Sequence, residues 1–134
     1  MPRILLTEDD KEQRELYHAV LEEAGYEVTD AWAAPEALEL FQRYKPDLVV
    51  LDIQMPGMDG IEALGRIVTK DKRIPVILHS AFPAYKANFL TWAADAFVVK
   101  SGNVQELVDA VNRLCKERGI AVPVAAKAAC EIKS

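Results

Sequence analysis

Five short runs of apolar and β-branched residues alternate along this chain with longer segments of helical periodicity. The five predicted strands span residues 3–7, 26–30, 47–51, 75–79 and 96–99. An alternation of this kind predicts an α/β fold, with a five-stranded parallel sheet and helices on both faces. The almost continuous apolar run from Leu48 to Leu51 favours a central strand that is buried on both sides.

The segments between and after the strands predict five helices. These helices span residues 11–24, 35–44, 60–69, 84–93 and 104–115. Asp10 and Gln13 have the spacing of a capping box that opens the first helix, and Gly25 closes that helix. Asn103 and Glu106 have the same spacing before the last helix.

The spacing of apolar residues in the first predicted helix indicates which of them should face the core. Leu16, Ala19, Val20 and Ala24 recur at helical spacing and predict its buried stripe. His18 lies opposite this stripe and is expected in solvent.

The length and composition of the chain favour a single domain. A chain of 134 residues can bury one core, which we assign to residues 1–119, with residues 120–134 as a tail that is either disordered or a truncated linker. The net charge of −5 argues against direct nucleic-acid binding, because phosphate binding needs a basic face.

The sequence also indicates a compartment. We find neither a membrane-spanning apolar stretch nor a signal peptide, and therefore predict a cytoplasmic protein without a membrane partner. Cys115 and Cys130 do not make a disulfide framework and are expected to be reduced thiols, with Cys115 packed in the last helix.

Polar side chains follow four of the predicted strands, at what would be the carboxyl edge of the sheet. In chain order they are Glu8, Asp9, Asp10, Asp52, Ser80 and Lys100. Open α/β sheets bind ligands at this edge. Neighbouring carboxylates repel each other unless a cation neutralises them, and Mg²⁺ prefers oxygen ligands. A carboxylate nucleophile beside a metal, a hydroxyl and an ammonium group is typical of phosphoryl transfer.

Over residues 3–118 the sequence resembles the receiver domain of two-component response regulators. The matching segments are ILLTEDD, LVVLDIQMPGMDG, VILHSA and DAFVVKS. They include the carboxyl ends of the first, third, fourth and fifth predicted strands and the residues that follow. The resemblance implies a flavodoxin-like (βα)5 doubly wound sandwich. It also implies Mg²⁺-dependent phosphorylation of an aspartate by a sensor histidine kinase or a histidine phosphotransfer protein.

The resemblance assigns roles to residues at the carboxyl edge. Asp52 would accept the phosphoryl group and contact the metal. Asp9 would bind Mg²⁺ directly and Glu8 through water, and the backbone carbonyl of Gln54 would be a further ligand. A domain of this kind catalyses its own phosphorylation and slow dephosphorylation and is not an enzyme in the ordinary sense.

Further positions would sense the phosphoryl group. Ser80 would donate a hydrogen bond to one phosphoryl oxygen and Lys100 would pair with another. Phe97 occupies the position of the family's rotating aromatic residue. Asp10 is expected to serve as the helix cap, and Phe82 is expected to flank the path of a hydrolytic water and slow dephosphorylation.

The signal would leave through protein contacts, because no output domain follows in this sequence. The face formed by the fourth helix, the fifth strand and the fifth helix would shift, and would bind an effector or form a phosphorylation-dependent homodimer. Ser101 stands after Lys100 where the family usually has proline, so the peptide geometry at this point stays open.

Three alternatives remain beside this interpretation. A pseudo-receiver would keep the fold and bind partners without phosphate. An aspartate-dependent phosphatase would need a second acid two residues after the nucleophile, where this chain has Gln54. A flavin-binding protein would need a phosphate-binding loop after the first strand, and EDDKEQ is too acidic for it. His79 is predicted to be a polar strand-end residue and not a metal ligand.

Overall fold

The computed structural model describes residues 2–52, 65–66, 74–80, 95–100, 103–120 and 122. The strands are β1 (Arg3–Thr7), β2 (Glu27–Ala31), β3 (Leu48–Asp52), β4 (Val76–Ser80) and β5 (Ala96–Val99). The helices are α1 (Lys11–Glu23), α2 (Ala34–Tyr44) and α3 (Gln105–Glu117), which is the last of the five predicted helices. All five predicted strands therefore form, each within one residue of its expected position. In the predicted helix 60–69, Gly65 and Arg66 are helical, and the predicted helix 84–93 lies outside the described residues.

The strands form one parallel sheet in the order β2-β1-β3-β4-β5. This is the order of the flavodoxin-like doubly wound fold, as predicted. The central strand, β3, is buried along its whole length, which explains its unbroken apolar sequence. Because β2 and β3 lie on opposite sides of β1, strand order reverses between β1 and β3. Ligand sites of such sheets lie at this point, outside the carboxyl ends of the two strands.

Alternate residues of the central strands enter two cores on opposite faces of the sheet. Helices α1 and α3 cover one face, which we call the α1/α3 face, and α2 packs on the other, the α2 face. The strand residues on the α1/α3 face include Ile4, Leu6, Leu48, Val50, Ile77 and Val98. Those on the α2 face include Leu5, Val49, Leu51, Val76 and Leu78. This alternation decides which polar residues meet at the carboxyl edge, because it continues beyond the apolar part of each strand.

The buried stripe of α1 differs from the prediction. Tyr17 and Leu21 are its buried residues, and two members of the expected stripe are partly buried beside them. Leu16 and Ala19 were expected in the core, but both are exposed. The large ring of Tyr17 fills the space against the sheet, and this rotates Leu16 by about 100° toward solvent.

The predicted ends of the helices are largely confirmed. The Asp10 carboxylate accepts a hydrogen bond from the amide of Gln13 at 3.0 Å and opens α1. Gly25 follows the end of α1 with a φ of 100°, which suits glycine. At α3 the N-cap residue is Val104, which makes no side-chain capping bond, and the side-chain oxygen of the preceding Asn103 accepts from the amide of Gln105 at 3.0 Å.

Three further observations concern the helices, the cysteines and the end of the domain. No helix in the described ranges is both long and apolar enough to cross a membrane. Cys115 is buried and free, while Cys130 lies outside the described residues. The domain boundary after residue 119 stays a prediction, although Ile120 and Val122 pack against the core of the α1/α3 face.

Candidate functional site

Three carboxylates meet where strand order reverses. Glu8 directly follows β1, and Asp52 is the last residue of the neighbouring β3. Glu8, Asp9 and Asp52 each offer a ligand oxygen, and these oxygens lie within 4.8 Å of one another. Glu8 and Asp52 are buried, whereas Asp9 is exposed at the mouth of the cluster. The sequence placed these acids at two strand ends, and the parallel pairing of β1 with β3 brings them together.

Lys100 supplies the cation of this acid cluster. Its ammonium group donates to Glu8 Oε1 at 2.6 Å and to Asp52 Oδ2 at 3.1 Å. Lys100 follows β5, two strands from Asp52, and strand alternation directs it to the α1/α3 face shared by Val98. Its side chain is long enough to reach across the end of β4, so one positive charge contacts two buried acids.

The two carboxylates and the lysine alter each other's ionisation. Burial, followed by the neighbouring Asp52 carboxyl group, raises the pKa of Glu8 to about 8, against the lowering effect of Lys100. Burial also acts to lower the pKa of Lys100, but its hydrogen bond to Glu8 and the charge of Asp52 outweigh burial, and the pKa rises. Lys100 is therefore charged at neutral pH. One lysine does not fully offset the repulsion within a cluster of three acids.

The residues fit a hard divalent cation. Besides the three converging carboxylates, Glu8 has a buried oxygen, Oε2, that makes no hydrogen bond with any part of the chain that the structure describes. A buried carboxylate oxygen without a partner is costly, and a metal ion or a metal-bound water would remove that cost. An all-oxygen donor set with an exposed entrance at Asp9 suits Mg²⁺, which keeps several waters when bound.

The other predicted site residues have different positions. Ser80 is the fully buried last residue of β4, and its carbonyl accepts from the amide of Lys100 at 2.6 Å. Alternation places its side chain on the α2 face, where Phe97 packs half-buried against the core. Asp10 is the helix cap described above. Gln54 and Phe82 lie outside the described residues, as does Ser101.

His79 lies closer to the site than the sequence suggested. It is opposite Asp52 in the pairing of β3 with β4, on the α1/α3 face, and it is buried. Its ring meets the ring of Tyr17 edge-on, with the ring centres 4.8 Å apart. Burial, and then the charge of Lys100, lowers the pKa of His79 to about 4, so the imidazole is neutral at neutral pH. Its two-residue spacing from Ile77 could have predicted this orientation.

Arg14 also contacts the acid segment, and the sequence analysis did not single it out. Its guanidinium Nη1 donates to the backbone carbonyl of Glu8 at 3.0 Å. Arg14 lies one helical turn after Asp10, and this spacing was the only signal in the sequence that could have placed it near the acids.

The structure combines a doubly wound sheet with an acid pair, a strand-end aspartate and a lysine at its carboxyl edge. These are the features of the class of signalling domain that the sequence resembles. The family model of the response regulator receiver domain matches residues 4–112. The chain therefore belongs to the response regulator receiver domain family.

Individual relatives agree with this assignment. The chemotaxis protein CheY of Thermotoga maritima is 33% identical over 117 residues, which cover 85% of this chain and 98% of CheY. The response regulator TrrA of Thermotoga maritima, solved in complex with Mg²⁺-BeF, is 44% identical with a TM-score of 0.83, covering 85% of this chain and 99% of TrrA. TrrA has also been solved in complex with the histidine kinase ThkA. This chain is similar to TrrA in that complex with a TM-score of 0.80 at 44% identity, over 85% of this chain and 98% of TrrA.

Proposed function

We propose that this receiver domain is a phosphoacceptor that takes a phosphoryl group onto Asp52 from a phosphohistidine. The donor is a sensor histidine kinase or a histidine phosphotransfer protein in the cytoplasm, and the reaction depends on Mg²⁺. The complexes of TrrA with Mg²⁺-BeF and with the kinase ThkA support this proposal by similarity.

One observation carries the proposal: Lys100 pairs with both Glu8 and Asp52 at the reversal of strand order, beside Asp9. A buried acid cluster that is only partly neutralised is a poor stabiliser of the fold, because desolvation of the charges opposes their attraction. The cluster is, however, well suited to bind a metal cation and then an anionic phosphoryl group. Groups whose pKa values are shifted in this way occur more often at functional sites than elsewhere in proteins.

The transfer itself follows from the position of Asp52. One Asp52 carboxylate oxygen attacks the phosphorus, the new O–P bond forms, and the P–N bond to the donor histidine breaks, so that the imidazole leaves with the bonding electron pair. When bound, Mg²⁺ would be held by Asp9, Asp52, Glu8 through water and the backbone carbonyl of Gln54, and would neutralise phosphoryl oxygens. Lys100 contacts a phosphoryl oxygen, and the Ser80 hydroxyl donates to another.

The signal then passes through the residues that follow the phosphoryl group. Movement of Ser80 changes the space beside Phe97, because both lie on the α2 face of the sheet. β5, which carries Phe97, and α3 would form, together with the predicted fourth helix, the surface that binds a separate effector or a second copy of the chain. Phe82 would slow hydrolysis of the aspartyl phosphate by restricting water.

The proposal is tested by intact mass spectrometry after incubation with a small-molecule phosphodonor and Mg²⁺. We expect the parent protein to gain one phosphoryl group, and the gain to disappear when the metal is removed. Asp52→Asn is the matched control, because it keeps the size of the side chain and removes only the nucleophilic charge.

Two results would contradict the proposal. A gain of equal size in Asp52→Asn would place the modification on another residue. No gain in the parent protein, either with the small donor or with a set of phosphorylated kinases, would favour the pseudo-receiver, which binds partners without phosphate.

A further inference from the structure

Hydrogen bonds hold the backbone of Glu8 at both its amide and its carbonyl group. The amide of Glu8 donates to the carbonyl of Ala31, at the end of β2, at 3.0 Å. The carbonyl of Glu8 accepts from the guanidinium of Arg14 at 3.0 Å. This carbonyl and the amide of Asp9 belong to the same rigid peptide plane, so the bond to Arg14 sets the direction in which the chain enters Asp9.

Arg14 is tied to the same short segment through its own backbone. Its amide donates to the carbonyl of Asp10 at 2.8 Å, and the Asp10 carboxylate caps α1 through Gln13. The first turn of α1 is thereby fixed to the segment 8–10, and the Arg14 side chain returns from that turn to the Glu8 carbonyl. Helix and acid segment form one hydrogen-bonded unit.

The guanidinium contacts a backbone carbonyl although three acids lie near Arg14 in the sequence. No ion pair of Arg14 is found within 4.0 Å among the residues that the structure describes, even though Glu8, Asp9 and Asp10 all lie within six positions of it in the chain. An ordinary surface arginine beside three acids would be expected to pair with one of them. Arg14 is half-buried, so its hydrogen bond to the carbonyl is partly shielded from water.

Among the three acids of the cluster, Asp9 depends most on its backbone for orientation. Glu8 and Asp52 are buried and held by Lys100, whereas Asp9 is exposed. A side chain without packing or partners is directed mainly by the position of its own Cα and Cβ. Anything that fixes the peptide before Asp9 therefore fixes the entrance of the metal cluster.

We infer that Arg14 is a positioning residue for metal binding, which holds the Glu8–Asp9 peptide so that the Asp9 carboxylate converges on Asp52. The inference rests on the proposed function, in which Asp9 is a metal ligand. Arg14 touches neither the phosphoryl group nor the metal and acts through the backbone of the acid segment.

The effect of removing Arg14 on Mg²⁺ affinity distinguishes a positioning role from a role of its charge alone. A positive charge near the acids repels a divalent cation, so its removal alone would strengthen metal binding. A positioning role predicts that removal weakens binding, and partners behind metal ligands typically contribute about tenfold or more to affinity. The sign of the change therefore distinguishes the two roles.

The experiment measures Mg²⁺ affinity by NMR titration of the full chain with the metal alone, following the amide resonance of Asp9. We expect Arg14→Ala to raise the dissociation constant about tenfold. Arg14→Lys keeps the charge without the planar donor group, and should lie between Arg14→Ala and the parent. Arg43→Ala removes an arginine that pairs with Glu39 on the exposed surface of α2, and should leave the affinity unchanged.

Hydrogen exchange of the Glu8 amide, which donates to the carbonyl of Ala31, gives a second readout in metal-free protein that needs no activity. This amide should exchange faster in Arg14→Ala, because the bond from Arg14 holds the carbonyl of the same residue, while amides of β3 stay protected in a folded variant. Parent-like affinity in Arg14→Ala, or tighter binding, would overturn the inference and leave the proposed function intact. A parent protein that shows no Mg²⁺-dependent shift would instead contradict the proposed function, together with the metal-binding role of Arg14.

Discussion

At the scale of single residues, ion pairs in this protein serve two different purposes. Lys100 with Glu8 and Asp52 forms a buried network in which carboxylates outnumber the cation. His18 also lies between two carboxylates, with Nδ1 2.7 Å from Asp30 and Nε2 3.0 Å from Glu22, but these side chains are more exposed. The Lys100 network belongs to the acid cluster at the carboxyl edge, whereas the His18 network links α1 to β2 and is expected to stabilise the fold.

The His18 arrangement predicts a pH-dependent contribution to stability. Burial acts to lower the pKa of His18, but hydrogen bonds and charges of Asp30 and Glu22 outweigh burial, and the pKa rises above its ordinary value. Because the folded protein binds this proton more tightly than the unfolded chain, the contribution is fully present below about pH 6.5 and is lost as pH rises through the folded-state pKa.

This prediction is checked by urea unfolding of the parent and of His18→Gln. The free energy of unfolding should favour the parent at about pH 6, and the difference should shrink by about pH 9. Asp30→Asn should reduce the same difference, because it removes the partner at Nδ1. A difference that is constant or that grows with pH would show that the proton on His18 contributes nothing.

At the scale of elements, helix ends are set by local chemistry that can be tested by paired substitutions. Gly119 follows α3 with a φ of 73°, and the amide of Ile120 donates to the carbonyl of Cys115 at 2.8 Å. This is the hydrogen-bonding pattern of a Schellman motif, which requires a left-handed residue at Gly119. Gly65 is helical and exposed, and a Cβ built there meets no atom of the described residues within 4 Å.

The same substitution should therefore have opposite effects at these two glycines. Gly119→Ala should lower the free energy of unfolding by about 1 kcal/mol, because alanine is strained in the left-handed region. Gly65→Ala should raise it by about 0.5–1 kcal/mol, because glycine in a helix loses more backbone freedom on folding. Thermal unfolding of both variants gives the signs directly, and two shifts of the same sign would contradict the assignment.

The sequence predicted elements better than it predicted contacts between them. Four strands were predictable because each contains a continuous apolar segment, whereas β2, with the sequence EVTDA, was predictable from its β-branched residues and its position between two helical segments. The acid cluster was predictable because Glu8 and Asp52 stand at the ends of two parallel strands. The stripe of α1 was misjudged because Leu16 and Tyr17 are both apolar enough for the core, and the packing against the sheet decides between them. The bond from Arg14 to the Glu8 carbonyl depends on the final packing of α1, which no local pattern encodes.

At the scale of the whole molecule, the carboxyl edge joins the two cores of the sheet. Glu8, Asp52 and Lys100 lie on the α1/α3 face, while Ser80 and Phe97 lie on the α2 face. A phosphoryl group on Asp52 that contacts both Lys100 and Ser80 would bridge these faces. It would then stabilise the folded domain as a unit, because neither contact exists in the unfolded chain.

Beryllofluoride, a tetrahedral analogue of a phosphoryl group, allows this coupling to be measured without turnover. With Mg²⁺ present, it should raise the unfolding temperature of the parent well beyond the effect of Mg²⁺ alone. A ligand at a hundred times its dissociation constant adds about 2.7 kcal/mol to the free energy of unfolding. Asp52→Asn should lose the increment due to beryllofluoride, and Ser80→Ala should reduce it. A full increment in Ser80→Ala would show that the added group is held from the α1/α3 face alone, and the proposed route through Ser80 and Phe97 would then be wrong.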